Sequence, residues 1–126
     1  MSMRTPLGRV RGLGSAKHGT EHFWAQRVTS VAGIPLTAGF IFIVAMLIGR
    51  NHAATVQILG SPVVAITMIL FIATIVYHMW LGMQVIIEDY VNDQLNKAIA
   101  SMLNTFFCVI VALSPIFAIL KLSFGV

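Results

Sequence analysis

The chain has 126 residues, of which 58% are hydrophobic and only 10% are charged. Its mean hydropathy is +0.91, and eight Lys and Arg against four Asp and Glu give a net charge of +4. Soluble domains carry about a quarter charged residues, so this composition excludes a soluble enzyme domain, a disordered tail and a disulfide scaffold. The single cysteine, Cys108, cannot form an intrachain disulfide. The sequence predicts a small integral membrane protein.

The first 23 residues contain several Arg and Lys residues and no apolar stretch, so they are not expected to form a secretory signal. A cleaved transit peptide is one interpretation of such a basic segment. We favour a segment that lies on the anionic surface of the cytoplasmic leaflet. The expected organisation is a cytoplasmic segment over 1–26 and a single transmembrane domain over 27–126.

Three stretches without Asp, Glu, Lys or Arg cover 22, 37 and 23 residues, at 28–49, 51–87 and 98–120. About 20 apolar residues cross a bilayer, so the first and third stretches each supply one helix. The second begins with a polar segment, and Gly60, Ser61 and Pro62 then provide a turn, a cap and a first-turn proline. The sequence predicts an all-α membrane protein with three transmembrane helices, at about 27–49, 62–88 and 97–122.

Basic residues near the ends of the spans predict the orientation, because they are enriched on the cytoplasmic side. Six fall on one side of the predicted topology and two on the other. The first group is Arg4, Arg9, Arg11, Lys17, Arg27 and Lys97, and the second is Arg50 and Lys121. The amino terminus is therefore expected in the cytoplasm.

His78 is the clearest candidate for a functional residue, because ionisable side chains inside a span are costly. Gly82 follows on the same helix face, where it leaves room for a flat group such as a porphyrin beside the imidazole. The alternative is a histidine that only packs the bundle through a hydrogen bond to a neighbouring helix. The other histidines (His18, His22 and His52) precede or follow the first span. A second axial ligand to a haem would therefore come from a partner subunit.

Glu88, Asp89 and Tyr90 lie at the cytoplasmic end of the second predicted span. One interpretation is an aromatic residue of the membrane interface beside solvated acids. The other is a phenol that donates a hydrogen bond to a quinone carbonyl, next to a carboxylate that positions it or relays protons. Trp80 has the same two interpretations, packing or cofactor contact.

Two stripes of residues recur at helical spacing. Arg27, Ser30, Gly33 and Thr37 form the first, in which Arg27 either anchors the helix at the interface or pairs with an anion such as a haem propionate. The second contains Ser101, Thr105, Cys108, Ala112 and Pro115, and small residues at this spacing let another helix approach closely. We interpret the second stripe as an assembly face.

Away from their ends the spans contain no Asp, Glu, Lys or Arg, which argues against an ion or proton transporter. The sequence also lacks a nucleotide-binding loop, a cysteine pair and a hydrolytic constellation. We therefore expect a subunit that is not catalytic alone and that does not bind nucleic acid.

The run from His78 to Met83, followed by Asp89, Tyr90 and Val91, resembles the signature of the small membrane anchor subunit of succinate dehydrogenase, respiratory complex II. Twelve residues separate the histidine from the tyrosine in that signature, as in this chain. Arg27 and Thr29 match a weaker pattern of the same family at the entry to the first span. The resemblance extends from about Trp24 to the end of the chain.

The resemblance implies that the chain is part of a heteromeric anchor bundle in a bacterial inner membrane, or alternatively a mitochondrial one. It implies His78 as an axial ligand to the iron of haem b, Tyr90 and Asp89 at the ubiquinone site, and Arg27 near the haem propionates. The implied partners are a large cytochrome b anchor subunit, which holds the other axial histidine, an iron–sulfur subunit and a flavoprotein. A fumarate reductase anchor and a non-redox membrane assembly protein are the alternatives.

Overall fold

The computed structural model describes residues 5–12 and 18–126, and every regular element within those residues is an α-helix. The elements are α1 (Pro6–Val10), α2 (His18–Leu47), α3 (His52–Gly60), α4 (Pro62–Tyr90) and α5 (Gln94–Phe124). Three of them, α2, α4 and α5, are long and apolar enough to cross a membrane. The prediction of an all-α protein with three spans is confirmed.

Local sequence chemistry sets several of the helix ends. The Oδ1 atom of Asn51 accepts a hydrogen bond from the Ala54 amide at 2.8 Å, which caps α3. Asp93 caps α5 in the same way, through the Asn96 amide at 3.3 Å. Helix α4 begins with Pro62, whose missing amide proton costs nothing at this position.

Two differences from the predicted helices concern segments near the membrane surface. Helix α2 begins at His18, nine residues before the expected start at 27. The charged side chains used to place that start do not prevent a helix from continuing beyond the hydrocarbon core, where water solvates them. The polar segment before Gly60 is also not a loop but the nine-residue helix α3.

Helix α4 lies between α2 and α5 and packs against both, while α3 packs mainly against α5. Helices α2 and α4 run antiparallel, because Thr29 contacts His78 while Phe40, further along α2, stacks on the earlier Phe71 with ring centroids 4.4 Å apart. Helices α4 and α5 are also antiparallel, because Trp80 contacts Thr105 and Gln84 contacts Ser101. Near the turn into α4, a Cβ atom built on Gly60 would lie 3.0 Å from the Leu122 carbonyl oxygen. Glycine therefore permits the close approach of these two segments.

Few side chains are buried within the described part of the chain. The buried apolar residues are Ile43, Ala65, Leu81, Ile87, Cys108 and Ile119. By contrast, large apolar side chains such as Ile34, Phe42 and Phe117 are about two-thirds exposed or more (73%, 67% and 69%). Such a surface suits the bilayer, and a continuous apolar exterior is not compatible with water.

The antiparallel arrangement puts Arg27, Tyr90 and Lys97 towards one end of the bundle and Arg50 and Lys121 towards the other. Two basic residues used for the orientation, Arg4 and Lys17, lie outside the described residues. The cytoplasmic location of the amino terminus stays a prediction.

Candidate functional site

His78 lies within α4, sixteen residues after its first residue and twelve before its last. At 1.5 Å per residue these intervals correspond to about 24 and 18 Å, so the imidazole is deep inside the span. Its Nδ1 atom lies 2.9 Å from the Oγ1 atom of Thr29 in α2. The contact with a neighbouring helix, which the packing interpretation requires, is therefore present at one ring nitrogen. Within the described part of the chain, the other nitrogen, Nε2, has no hydrogen-bond partner.

A groove of about 490 Å³ runs beside His78, between α2 and α4. Its lining combines hydroxyl groups, a glycine and branched apolar side chains: Thr29, Ser30, Gly33, Ile34, Thr37, Ile75 and His78. Three members of the stripe predicted on the first span, Ser30, Gly33 and Thr37, thus face the same space as the histidine. The stripe and the candidate ligand belong to one surface.

Arg27 lines a second groove between the same two helices, with a volume of about 560 Å³. Its other lining residues are His22, Phe23, Gln26, Leu81, Val85 and Glu88. The Arg27 guanidinium carbon lies 4.9 Å from the centroid of the Phe23 ring, within the range of a cation–π contact. The Oε1 atom of Gln26 is buried without a hydrogen-bond partner in the described structure. This end of the α2–α4 interface is therefore charged and polar, in contrast to its apolar surroundings.

Gly82 lies one helical turn after His78 and faces open space. A Cβ atom built on it would meet nothing within 4 Å. The backbone at this point is accessible to a group from outside the chain.

Asp89 and Tyr90 are the last two residues of α4, and both are exposed, with Tyr90 80% exposed. Tyr90 lies about 18 Å from His78 along the helix axis and about a third of a turn around it. Within this chain the structure does not bring the two candidate sites together. Tyr90 is available to a ligand or partner at the end of the bundle.

A ladder of polar contacts between α4 and α5 was not predicted. Asn104, only 7% exposed, donates from Nδ2 to the Gln84 Oε1 atom and to the Trp80 carbonyl oxygen, both at 3.3 Å. Gln84 in turn donates to the Ser101 hydroxyl at 3.2 Å. The Cys108 thiol donates a hydrogen bond to Asn104 Oδ1, with 3.5 Å between the sulfur and the oxygen. Amide side chains inside an apolar span were the available signal, since such groups must find partners in lipid.

The stripe on the third span faces α4 of the same chain. Thr105 accepts a hydrogen bond from Trp80 Nε1 at 3.1 Å, and Ser101 accepts one from Gln84. Thr105, Cys108 and Ala112 also line an apolar groove of about 370 Å³ against α4. The helix that approaches this stripe closely is therefore internal to the chain.

Trp80 belongs to this α4–α5 interface and also stacks with two other rings. Its centroid lies 5.9 Å from that of Tyr77 and 6.4 Å from that of His22. His22, which the sequence put before the first span, is thus within α2 and beside α4. These contacts favour the packing interpretation of Trp80.

Asn104→Leu should lower the free energy of unfolding by about 1 kcal/mol, because it leaves Gln84 without its α5 donor inside the bundle. Denaturant titration of the protein in detergent measures the change. Ser114→Ala is the control, because the Ser114 hydroxyl is exposed and bonds only its own helix, at Ile110 O. Equal stability of the two variants would show that the ladder contributes nothing.

The residues that the structure describes contain no group of three or more His, Cys, Asp and Glu side chains that could hold a metal ion. The fold and the site define a class: a small three-span helical membrane protein with one histidine deep in a groove and an acidic–aromatic pair at a helix end. Residues 1–114 match the model of the succinate dehydrogenase/fumarate reductase transmembrane subunit family. The chain belongs to this family.

Curated relatives agree with this assignment. A succinate dehydrogenase hydrophobic membrane anchor subunit of Paracoccus denitrificans is 32% identical over 121 residues, which cover 96% of this chain and 93% of the relative. A protein of the same name from Rickettsia bellii is 31% identical over 71% of each chain. The succinate dehydrogenase membrane anchor subunit of Reclinomonas americana is 30% identical over 69% of this chain and 75% of its own length. No solved structure gives a significant match.

Proposed function

We propose that this chain is a membrane anchor subunit that supplies an axial ligand of haem b and part of the ubiquinone-reduction site, in electron transfer from succinate to ubiquinone. The observation that carries the proposal is His78, a histidine in the interior of a span, beside a groove and with one ring nitrogen free of hydrogen bonds in the described structure. The membrane anchor role rests on the family and its relatives.

The residues around His78 fit a haem. A neutral imidazole is a common axial ligand to haem iron, and the groove beside it is lined by small and branched side chains. The open space over Gly82 leaves the neighbouring turn accessible to the face of a macrocycle. When bound, haem b supplies a one-electron redox centre within the membrane. A second axial histidine comes from the large cytochrome b anchor subunit in this proposal.

Arg27 is the candidate partner of a haem propionate. It lines the groove that adjoins the His78 turn of α4, and its guanidinium offers forked donors suited to a carboxylate. Glu88 lines the same groove, and its carboxylate would repel an anion there. Binding of a propionate therefore requires that the attraction of Arg27 outweighs the repulsion of Glu88. Gly82 contributes space rather than a chemical group.

Tyr90 and Asp89 form this chain's share of the quinone site. The Tyr90 hydroxyl donates a hydrogen bond to a ubiquinone carbonyl, which favours the developing negative charge as electrons arrive. Asp89 is adjacent and, as an exposed carboxylate, is able to position the tyrosine or exchange a proton with water. Two electrons and two protons convert ubiquinone into ubiquinol. The high exposure of Tyr90 supports a pocket that other subunits complete.

The remaining steps take place on partner subunits. A flavoprotein oxidises succinate to fumarate, and an iron–sulfur subunit passes the two electrons to the quinone. This chain and the large anchor subunit hold both at a bacterial inner membrane, which the named bacterial relatives support. A fumarate reductase works in the opposite direction, and the family description covers both enzymes. The relatives are succinate dehydrogenase subunits, which favours succinate oxidation.

Purification through an affinity tag on this chain, in mild detergent, tests the proposal. We expect three co-purifying subunits and a reduced-minus-oxidised spectrum of b-type haem, together with succinate-dependent ubiquinone reduction. A complex without haem would overturn the ligand role of His78. Purification without a flavoprotein partner would favour a non-redox assembly protein.

A further inference from the structure

Thr29 is the threonine that follows Arg27 by two residues, and the proposed function gives it no role. It bonds His78, the candidate ligand, from the neighbouring helix. We propose that Thr29 is a positioning residue for His78, the haem ligand. The Thr29 hydroxyl oxygen accepts a hydrogen bond from Nδ1–H of His78 and so leaves Nε2 as the nitrogen that binds iron. This inference rests on the proposed haem site.

The hydrogen-bond geometry of Thr29 determines which atom carries the shared proton. Its Oγ1 atom lies 2.7 Å from the Ala25 carbonyl oxygen and 3.1 Å from that of Gln26. A carbonyl oxygen only accepts, so the single hydroxyl proton must point towards these carbonyls to allow so short a distance. Oγ1 then has lone pairs, but no proton, to offer His78. The proton in the 2.9 Å contact therefore belongs to Nδ1, which donates to Thr29.

The consequence for the imidazole is a fixed tautomer. A neutral histidine carries one ring proton, and with that proton on Nδ1 the lone pair is on Nε2. A metal requires this tautomer in order to bind Nε2, and the hydrogen bond to Thr29 in α2 selects it without a metal. Ligating histidines are usually oriented by such a hydrogen bond from the other ring nitrogen.

The position of Thr29 also restricts the orientation of the ring. Threonine is branched at Cβ and has few accessible rotamers in a helix, and the bond to Ala25 O holds its hydroxyl in place. Both Thr29 and His78 are half-buried between α2 and α4. The imidazole is thus tied to a second helix and does not rotate freely about its own side chain.

The Thr29 hydroxyl is a neutral hydrogen-bond acceptor, and its strength as an acceptor would influence the midpoint potential of a bound haem. A carboxylate in the place of Thr29 would draw the Nδ1 proton strongly and make the ligand more basic. Thr29 would polarise the imidazole less than a carboxylate, so the ligand's electron donation to a bound ferric iron would be limited. Removing the hydroxyl should reduce that donation and raise the midpoint potential of the haem.

The test is Thr29→Val in the intact, tagged complex, because valine keeps the branched shape and removes only the hydroxyl. We expect the affinity for haem to fall by roughly 10- to 100-fold, measured as haem retained per complex during detergent washing. In the fraction that retains haem, redox titration should give a higher midpoint potential. Electron paramagnetic resonance should give altered low-spin g values, which report the orientation of the axial imidazole.

Thr67→Val is the matched control, since the Thr67 hydroxyl lies in α4 outside the His78 groove and hydrogen-bonds only its own helix, at the Val63 carbonyl oxygen. It should keep the wild-type haem content, potential and g values. Thr29→Ser retains the hydroxyl and should restore all three. The proposal is overturned if Thr29→Val matches Thr67→Val, or if Thr29→Ser is as impaired as Thr29→Val.

Assembly defects and failure of the proposed function are distinguishable in this design. If Thr29→Val does not assemble, Thr29→Ala removes the same hydroxyl with a smaller side chain and carries the same expectations. If neither assembles, Thr29→Ser decides, because altered g values in that variant contradict the proposal. A wild-type complex that lacks haem overturns the proposed function itself, whereas a normal haem in Thr29→Val overturns only the role of Thr29.

Discussion

Replacing His78 with leucine should remove haem b from the purified complex. Leucine has no nitrogen donor, and loss of a ligand should cost more than the 10- to 100-fold in affinity that the loss of a supporting hydrogen bond does. We therefore expect haem content to fall by more than about 100-fold, measured by the reduced-minus-oxidised spectrum per complex.

His52→Leu is the control for this experiment. His52 is exposed at the first residue of α3, towards the opposite end of the bundle from Tyr90. Its replacement should leave the spectrum unchanged. If His78→Leu disrupts assembly, His78→Gly with added imidazole supplies the donor without the side chain, and the spectrum should recover. An unchanged haem spectrum in His78→Leu would rule out this residue as the ligand.

Tyr90→Phe should lower succinate-dependent ubiquinone reduction by roughly 10²-fold, the usual contribution of one positioned proton donor. Succinate oxidation by an artificial dye should persist, because the flavoprotein and the iron–sulfur subunit are untouched. Within the described structure the Tyr90 hydroxyl makes no hydrogen bond in this chain, so the substitution leaves the fold of the subunit intact.

The chain provides its own control, because it contains two tyrosines. Tyr77 is half-exposed in the middle of α4 and stacks on Trp80, far from the helix end. Tyr77→Phe should retain quinone reduction. Equal loss of both activities in Tyr90→Phe would indicate a role in assembly instead of quinone chemistry.

The spans were predictable because lipid imposes simple rules on composition. Ser61 and Pro62 identified the first residue of α4 correctly, since a proline at that position has a specific geometric cause. The start of α2 was placed too late, because charged residues mark the edge of the hydrocarbon core and not the end of a helix. Helix α3 was missed for the related reason that a polar segment at the membrane surface still forms a capped helix.

The individual residues of the candidate site could be predicted from the sequence, but the contacts between them could not. His78 and the stripe from Ser30 to Thr37 were each visible in the sequence, and the groove joins them. The bond from Thr29 to His78 and the amide pair of Gln84 and Asn104 depend on the register between helices. That register follows from packing along whole helices, which the periodicity of one segment does not contain. Tyr90 is 80% exposed, so its surroundings are not supplied by this chain.

Because few of the described side chains are buried, a damaging substitution in this subunit affects the packing between helices and not the helices themselves. Within a bilayer each spanning helix satisfies its own backbone, so a lost contact between helices does not melt them. A variant such as Asn104→Leu therefore loses alignment while its helix content stays constant, and circular dichroism would miss the defect. The damage in the native state is an altered distance between helices, such as that between His78 and Thr29, and denaturant titration measures the lost stability. The native state of this chain therefore depends on the register between its spanning helices more than on the formation of the helices themselves.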